Sequence, residues 1–195
     1  MDSSRVVTDA DRLADSFVRL TQPVAKPVII VVSGLPGTGK SYFCRRLAER
    51  LPFVILESDA LRKQLFRAPA YSADESAYLF RTIHYLIEVL LKKGIPVILD
   101  ATNLSERHRE PIYSIAEHSN ARLVLVSVEA PPELVKKRLK TRMKAGNPGD
   151  NSDADWAVYE KMKPAVEKIR RKHFTVDTSG DITPVIDKIV REVDR

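Results

Sequence analysis

Short aliphatic runs alternate along the chain with longer segments in which apolar residues recur every three or four positions. This is the pattern of strand–helix units repeated in series. Val28 to Val32 is a continuous aliphatic run closed by Ser33–Gly34, as expected for a strand buried on both faces. Further strands are predicted at Phe53–Leu56, Val97–Leu99, Leu123–Val128 and Thr175–Val176. Helices are predicted at Lys40–Arg50, Asp74–Lys93, Glu106–His118, Pro132–Met143, Asp153–Lys172 and Pro184–Val193. Ser72 and Glu75 resemble a capping box at the head of the second of these, and Gly94 is expected to stop it. Pro111 is expected to kink or delay the third. Leu13, Phe17 and Leu20 suggest one more helix, in an N-terminal extension over residues 1–26. A single α/β domain is expected over 27–195, its parallel sheet covered by helices on both sides. In such sheets functional loops gather at the carboxyl ends of the strands.

Composition narrows the class without choosing a function. No apolar run reaches the roughly 20 residues needed to span a membrane, and the first twenty residues lack the apolar core of a signal peptide. The single cysteine, Cys44, cannot form an internal disulfide, which is compatible with a reducing cytoplasm, and it is expected to be a small buried residue. A net charge of +6 favours anionic partners, whether nucleotide, phosphorylated metabolite or nucleic acid.

The chemistry lies in three places, each at the end of a predicted strand. Gly34-Leu35-Pro36-Gly37-Thr38-Gly39-Lys40-Ser41 follows the first strand and opens a helix that continues with Tyr42. Its glycines let backbone amides turn inward around phosphate oxygens. Lys40 is expected to reach the β- and γ-phosphates of ATP, and the Ser41 hydroxyl to ligate Mg²⁺. After the second strand, Asp59 is placed to accept a hydroxyl proton as general base, and Arg62 to hold an anionic group on the acceptor. The other reading of Asp59 is a helix cap. After the third strand, Asp100 stands where a carboxylate would meet Mg²⁺ or its waters. Thr102 and Asn103 are candidates to hold the acceptor or orient Asp59, or are simply turn residues. Arg107 and Arg109 either bind acceptor phosphate or form a solvated face. Beyond the fourth strand, Arg138 and Arg142 share one helical face ahead of a loop rich in breakers, the make-up of a closing lid over about 136–155. The aromatics of Phe66-Arg-Ala-Pro-Ala-Tyr71 either stack a base at the acceptor wall or pack under the following helix.

Together SGLPGTGKS, ESDALR, VILDATNL and the arginine-rich lid ahead of SDADWAVYEKMKP resemble the P-loop kinases around bacterial and phage polynucleotide kinases, with zeta toxins and chloramphenicol phosphotransferase more distant members. The resemblance covers about Val28 to Asp181. It implies a three-layer P-loop NTPase fold with a five-stranded parallel sheet of nucleoside-kinase type. It also implies a general base at Asp59, an acceptor-binding arginine at Arg62, and lid arginines at Arg138 and Arg142 that contact ATP. The segment Thr178–Gly180 would approach adenine. Three functions stay open: a kinase for a small hydroxylated molecule, a 5′-hydroxyl polynucleotide or RNA kinase, and an ATP-dependent switch with no phosphorylated acceptor.

Overall fold

The computed structural model describes residues 3–18, 22–145 and 152–194. Its centre is a five-stranded parallel sheet formed by β1 (Val28–Ser33), β2 (Val54–Glu57), β3 (Val97–Asp100), β4 (Arg122–Glu129) and β5 (Phe174–Asp177), in the order β2-β3-β1-β4-β5. Each strand runs to a polar residue at its carboxyl end. Val32 pairs with Asp100 and Val126, Glu57 with Asp100, and Glu129 with Asp177. The alternation of apolar strands and polar exits places Ser33, Glu57, Asp100, Glu129 and Asp177 along one edge.

β1 is buried at all six positions because it feeds two cores. Ile29 and Val31 join the larger core with α1 (Ser3–Val18), α3 (Ser58–Leu65), α4 (Ala73–Lys92) and α5 (Glu106–His118). Val28, Ile30 and Val32 face the opposite way, onto Phe43, Cys44 and Leu47 of α2 (Lys40–Ala48) and onto α8 (Thr183–Val193). The three layers follow from this alternation. Each fully buried Leu or Ile contributes about 1.5–3 kcal/mol. Cys44 is buried among them, and burial pushes its thiol well above the ordinary range. No helix among the described residues is long and apolar enough to cross a membrane.

The N-terminal helix docks Ala10, Leu13 and Ala14 into the larger core, and its Asp9 accepts a hydrogen bond from the Tyr78 hydroxyl of α4 at 2.6 Å. Leu20 lies outside the described residues. Three expectations need correction. The predicted helix over Asp153–Lys172 is only α7 (Trp156–Met162), capped by Asp155, followed by a 3₁₀ turn at Lys163–Ala165 and an extended segment. Pro164 removes a helical donor, and the amide of Glu167 bonds to the Leu104 carbonyl instead of continuing a helix. By contrast α5 begins at Glu106 and runs through Pro111, where packing of Ile112, Tyr113 and Ala116 outweighs one missing ladder bond. At the head of α4 only half of the capping box forms. The Glu75 amide donates to the Ser72 hydroxyl at 3.1 Å, but the Glu75 carboxylate turns away.

Candidate active site

The loop from Gly34 to Ser41 joins β1 to α2. The Gly34 amide donates to the Thr102 carbonyl at 3.0 Å, so the loop leans on the exit of β3. A Cβ at Gly34 would lie 2.4 Å from the Val128 carbonyl oxygen. Gly34→Ala is therefore expected to displace the loop, lowering the thermal midpoint and weakening nucleotide binding together. A normal midpoint with normal nucleotide affinity would refute that. Gly37 and Gly39 hold φ of +78° and +94°, left-handed conformations that glycine adopts without strain. Gly39 caps α2 with no side-chain bond, leaving the helix amides to be met by an anion. Lys40 donates from Nζ to the Leu35 carbonyl at 3.0 Å, arching back over the loop. Burial lowers its pKa, and the charges of Asp100 and Asp59 oppose that shift.

Asp100 is 3% exposed, and its Oδ2 has no hydrogen-bond partner. Burial raises its pKa, while Lys40 and a hydrogen bond from the Ser41 hydroxyl hold it down. A cavity of about 200 Å³ opens beside Ser41 and Asp100, walled also by Arg45, Glu57, Gln64 and Phe17 among others. Ser41, a buried carboxylate with an unused oxygen and room for water suit Mg²⁺, which takes one or two protein oxygens and completes its octahedron with waters and phosphates. No group of three or more His, Cys, Asp or Glu among the described residues makes a closed metal cage.

Asp59 lies half-buried in the first turn of α3, where its charge is felt by both Lys40 and Asp100. The helix cap is Glu57, so Asp59 is not spent on capping. Arg62, one turn on, is 6% exposed. It is paired with Glu75, donates to Ser76 Oγ at 3.3 Å, and lies 4.8 Å over the Tyr71 ring. Glu75 also accepts the amides of Ala70 at 2.7 Å and Tyr71 at 3.2 Å. Arg62 is thus already paired within the fold, with Nε left over among its nitrogens.

The β3 exit is mostly framework. The buried Asn103 donates from Nδ2 to the Val32 carbonyl at 2.9 Å, and the Thr102 carbonyl takes Gly34 and Ser33. Arg107 is exposed, on a helix that starts beside this loop. Arg109 is neither a phosphate ligand nor a solvated face. It is wholly buried, bonding the Glu106 carboxylate, the Asn103 carbonyl and the Glu167 carbonyl. The aromatics divide as well. Phe66 packs edge-on against Tyr78 beneath α4, and Tyr71 stays 45% exposed. Tyr42 is exposed on the first turn of α2.

After β4 comes α6 (Pro132–Ala145). Its Val135 and Leu139 pack with Tyr159, Trp156 and Leu35, so close that a Cβ on Gly37 would meet both at 2.9 Å. Arg138 donates to the Thr178 hydroxyl and carbonyl at 2.8 Å each, and Thr178 donates to the Thr38 carbonyl at 2.6 Å. These bonds tie α6, the phosphate loop and the turn after β5 together. Arg142 donates to the Ala154 carbonyl, and its charge is felt at Lys40. The breaker-rich loop at 146–151 lies outside the described residues. Sequence spacing did not reveal the contacts of Glu75, Thr178 and Asp153. Each acts across the fold; the capping signal had marked Glu75, and the resemblance had marked Thr178 only as a neighbour of adenine.

A parallel sheet of this order, a glycine loop opening α2 and a carboxylate beside its lysine define a P-loop NTPase fold. The family model described as an AAA domain, AAA_33, matches residues 29–169, and the chain belongs to that P-loop kinase family. Curated relatives include the L-seryl-tRNA(Sec) kinase of Methanococcus maripaludis, 28% identical over 57% of this chain, of whose length the match spans 44%. An adenylate kinase of Schistosoma mansoni is 25% identical over 89% of this chain and 96% of its own. Among solved structures, the APS kinase of Mycobacterium tuberculosis in complex with AMPPNP and APS shares the fold at a TM-score of 0.65, with 15% identity, covering 89% of this chain and 100% of that one. A gluconokinase from Sinorhizobium meliloti gives 0.58 at 20% identity, covering 87% and 93%.

Proposed function

We propose that the protein is an ATP-dependent kinase that transfers the γ-phosphoryl group to a hydroxyl on a small molecule. The domain of this reading is 27–195, with 136–155 as its lid. The carrying observation is the clustering of Asp59, Lys40 and Asp100 within electrostatic reach at one sheet edge. A switch that only binds ATP needs no general base at Asp59. The finer resemblance to polynucleotide kinases belongs to the competing acceptor. Phe66 packs against Tyr78 of α4 and the Tyr71 ring lies over Arg62, so both aromatics of this segment are engaged by protein groups, which favours the small molecule.

In this mechanism the loop amides and α2 seat the phosphates, and Lys40 leaves the Leu35 carbonyl for the β- and γ-oxygens. Asp59 accepts the acceptor's hydroxyl proton as the new oxygen–phosphorus bond forms and the bond from the γ-phosphorus to the β–γ bridging oxygen breaks, releasing ADP. Arg138 and Arg142 spread the charge of the transferred group. Arg62, Thr102 and Arg107 face or flank the acceptor, while Asn103 contributes by holding the loop. Ser41 and Asp100 would hold Mg²⁺, which would supply neutralisation of phosphate charge.

The test is transfer of labelled γ-phosphate to a panel of polyols, sugars, nucleosides, adenylyl sulfate and a 5′-hydroxyl oligonucleotide. Label on a small hydroxyl compound supports the reading. Label on the oligonucleotide alone overturns the acceptor class, and ATP binding with no transfer to any member favours the switch. Lys40→Ala is expected to lower turnover about 10²–10³-fold, the scale of removing one charge-stabilising donor, and to weaken ATP binding as well. Unchanged turnover would remove Lys40 from the mechanism.

A further inference from the structure

The chain returns from the lid at Asp153, and three elements grip it there. The Tyr71 hydroxyl donates to Asp153 at 2.5 Å, Lys63 of α3 pairs with the same carboxylate at 3.5 Å, and Arg142 holds the neighbouring Ala154 carbonyl. The Tyr71 bond, with help from Lys63 and against burial, keeps the Asp153 carboxyl below its ordinary range.

Tyr71 itself is held in an unusual state. Its φ is +53°, rare for a bulky residue and costing on the order of 1 kcal/mol or more. That conformation persists because its amide and that of Ala70 are fixed by Glu75, while its ring lies against the Arg62 guanidinium. The strain has a geometric product. With backbone and ring pinned to the acceptor wall, the hydroxyl reaches across to the root of the lid. A tyrosine that served only to cover Arg62 would need neither the positive φ nor the Asp153 contact.

We propose that Tyr71 is a positioning residue, whose hydroxyl fixes Asp153 and, through the adjoining Ala154 carbonyl, the guanidinium of Arg142. The acceptor wall and the lid arginine then move as one unit. This rests on the reading of Arg142 as a group at the transferred phosphate. Asp153 is not a ligand of the reacting atoms here, and its part is to carry the constraint from one side of the cleft to the other.

The test is a double-mutant cycle on release of γ-phosphate from Mg–ATP to water in single turnover. AMPPNP affinity is read from Trp156, the chain's one tryptophan, which is stacked on Tyr159 in α7, just past the lid. Tyr71→Phe keeps the ring over Arg62 and loses only the hydroxyl. It is expected to slow release about tenfold, the scale of one hydrogen bond to a charged group, with AMPPNP affinity and thermal midpoint unchanged. Asp153→Ala should match it, and Asp153→Asn, which keeps an acceptor oxygen, should recover much of the rate. In an Arg142→Ala background, Tyr71→Phe should have no further effect. An equal loss in both backgrounds overturns the inference and leaves the kinase reading standing. If Arg142→Ala alone leaves the rate unchanged, the role of Arg142 falls, and the inference with it.

Discussion

Asp59→Asn is expected to lower phosphoryl transfer about 10²–10⁴-fold, the span that general-base catalysis contributes. The substitution is nearly isosteric and sits in the first turn of a helix whose cap is Glu57, so the fold should not register it. ATP affinity should hold or tighten slightly. The variant removes a negative charge felt by Lys40, beside the site where the phosphates' own negative charge would lie. This split separates a catalytic carboxylate from a structural one, because a structural defect would weaken binding and melting together. The measurements are single-turnover transfer to the acceptor found in the panel and calorimetric titration with AMPPNP. Transfer within about threefold of wild type would leave the proton without Asp59 as its destination, since the loss of a working general base costs far more than that.

The second large effect is on stability. Glu75→Ala strips the counter-charge from an arginine that is 6% exposed and also orphans the amides of Ala70 and Tyr71. Breaking a buried pair by removing one partner costs about 3–5 kcal/mol, a large part of the roughly 5–15 kcal/mol by which domains are typically stable. Burial alone would raise the Glu75 pKa. The Ala70 amide, the Arg62 guanidinium and the Tyr71 amide outweigh burial and hold it below the ordinary value of 4.5. A carboxyl depressed in the folded state stabilises fully above its unfolded pKa. That contribution is lost as pH falls through the folded value. Urea unfolding of wild type should therefore weaken on the acid side of 4.5, and Glu75→Gln should show a flatter acid limb from a lower starting stability. A loss under about 1 kcal/mol for Glu75→Ala, the level of a surface ion pair, would mean that Arg62 escapes to solvent.

The phosphate loop and the five strands were legible in the sequence because each is a local statement. An aliphatic run, a glycine loop and a helix start require no knowledge of what lies across the sheet. The strands were read one residue short at Leu56 and Leu99 because the ladder continues into the polar residues Glu57 and Asp100, which hydrophobicity does not mark. The fate of Arg62 was not legible. Its partner lies 13 positions away in the next helix, and the residue that looked like half of a capping box is engaged by the arginine. Arg109 was weighed as a phosphate-binding group or a solvated one, yet it ends fully buried under the β3 exit. The long helix drawn through Lys172 failed for the same kind of reason. Apolar spacing continued past Pro164, but the tertiary bond of Glu167 to Leu104 decided the path.

The two-sided packing of β1 bears on how this chain can drift over generations. A strand with one wet face has neutral positions where substitutions accumulate unnoticed. β1 has none, since its residues serve alternate cores and its last one steadies the β3 exit through Ser33 Oγ. A single deletion there would exchange the two sets of side chains and shift the phosphate loop by one residue in the same event. Variation in descendants of this sequence should therefore concentrate on exposed helix faces and on the loops at the far end of the sheet. β1 and the turn that follows it should remain nearly unchanged for reasons of packing alone, before any demand of chemistry is added.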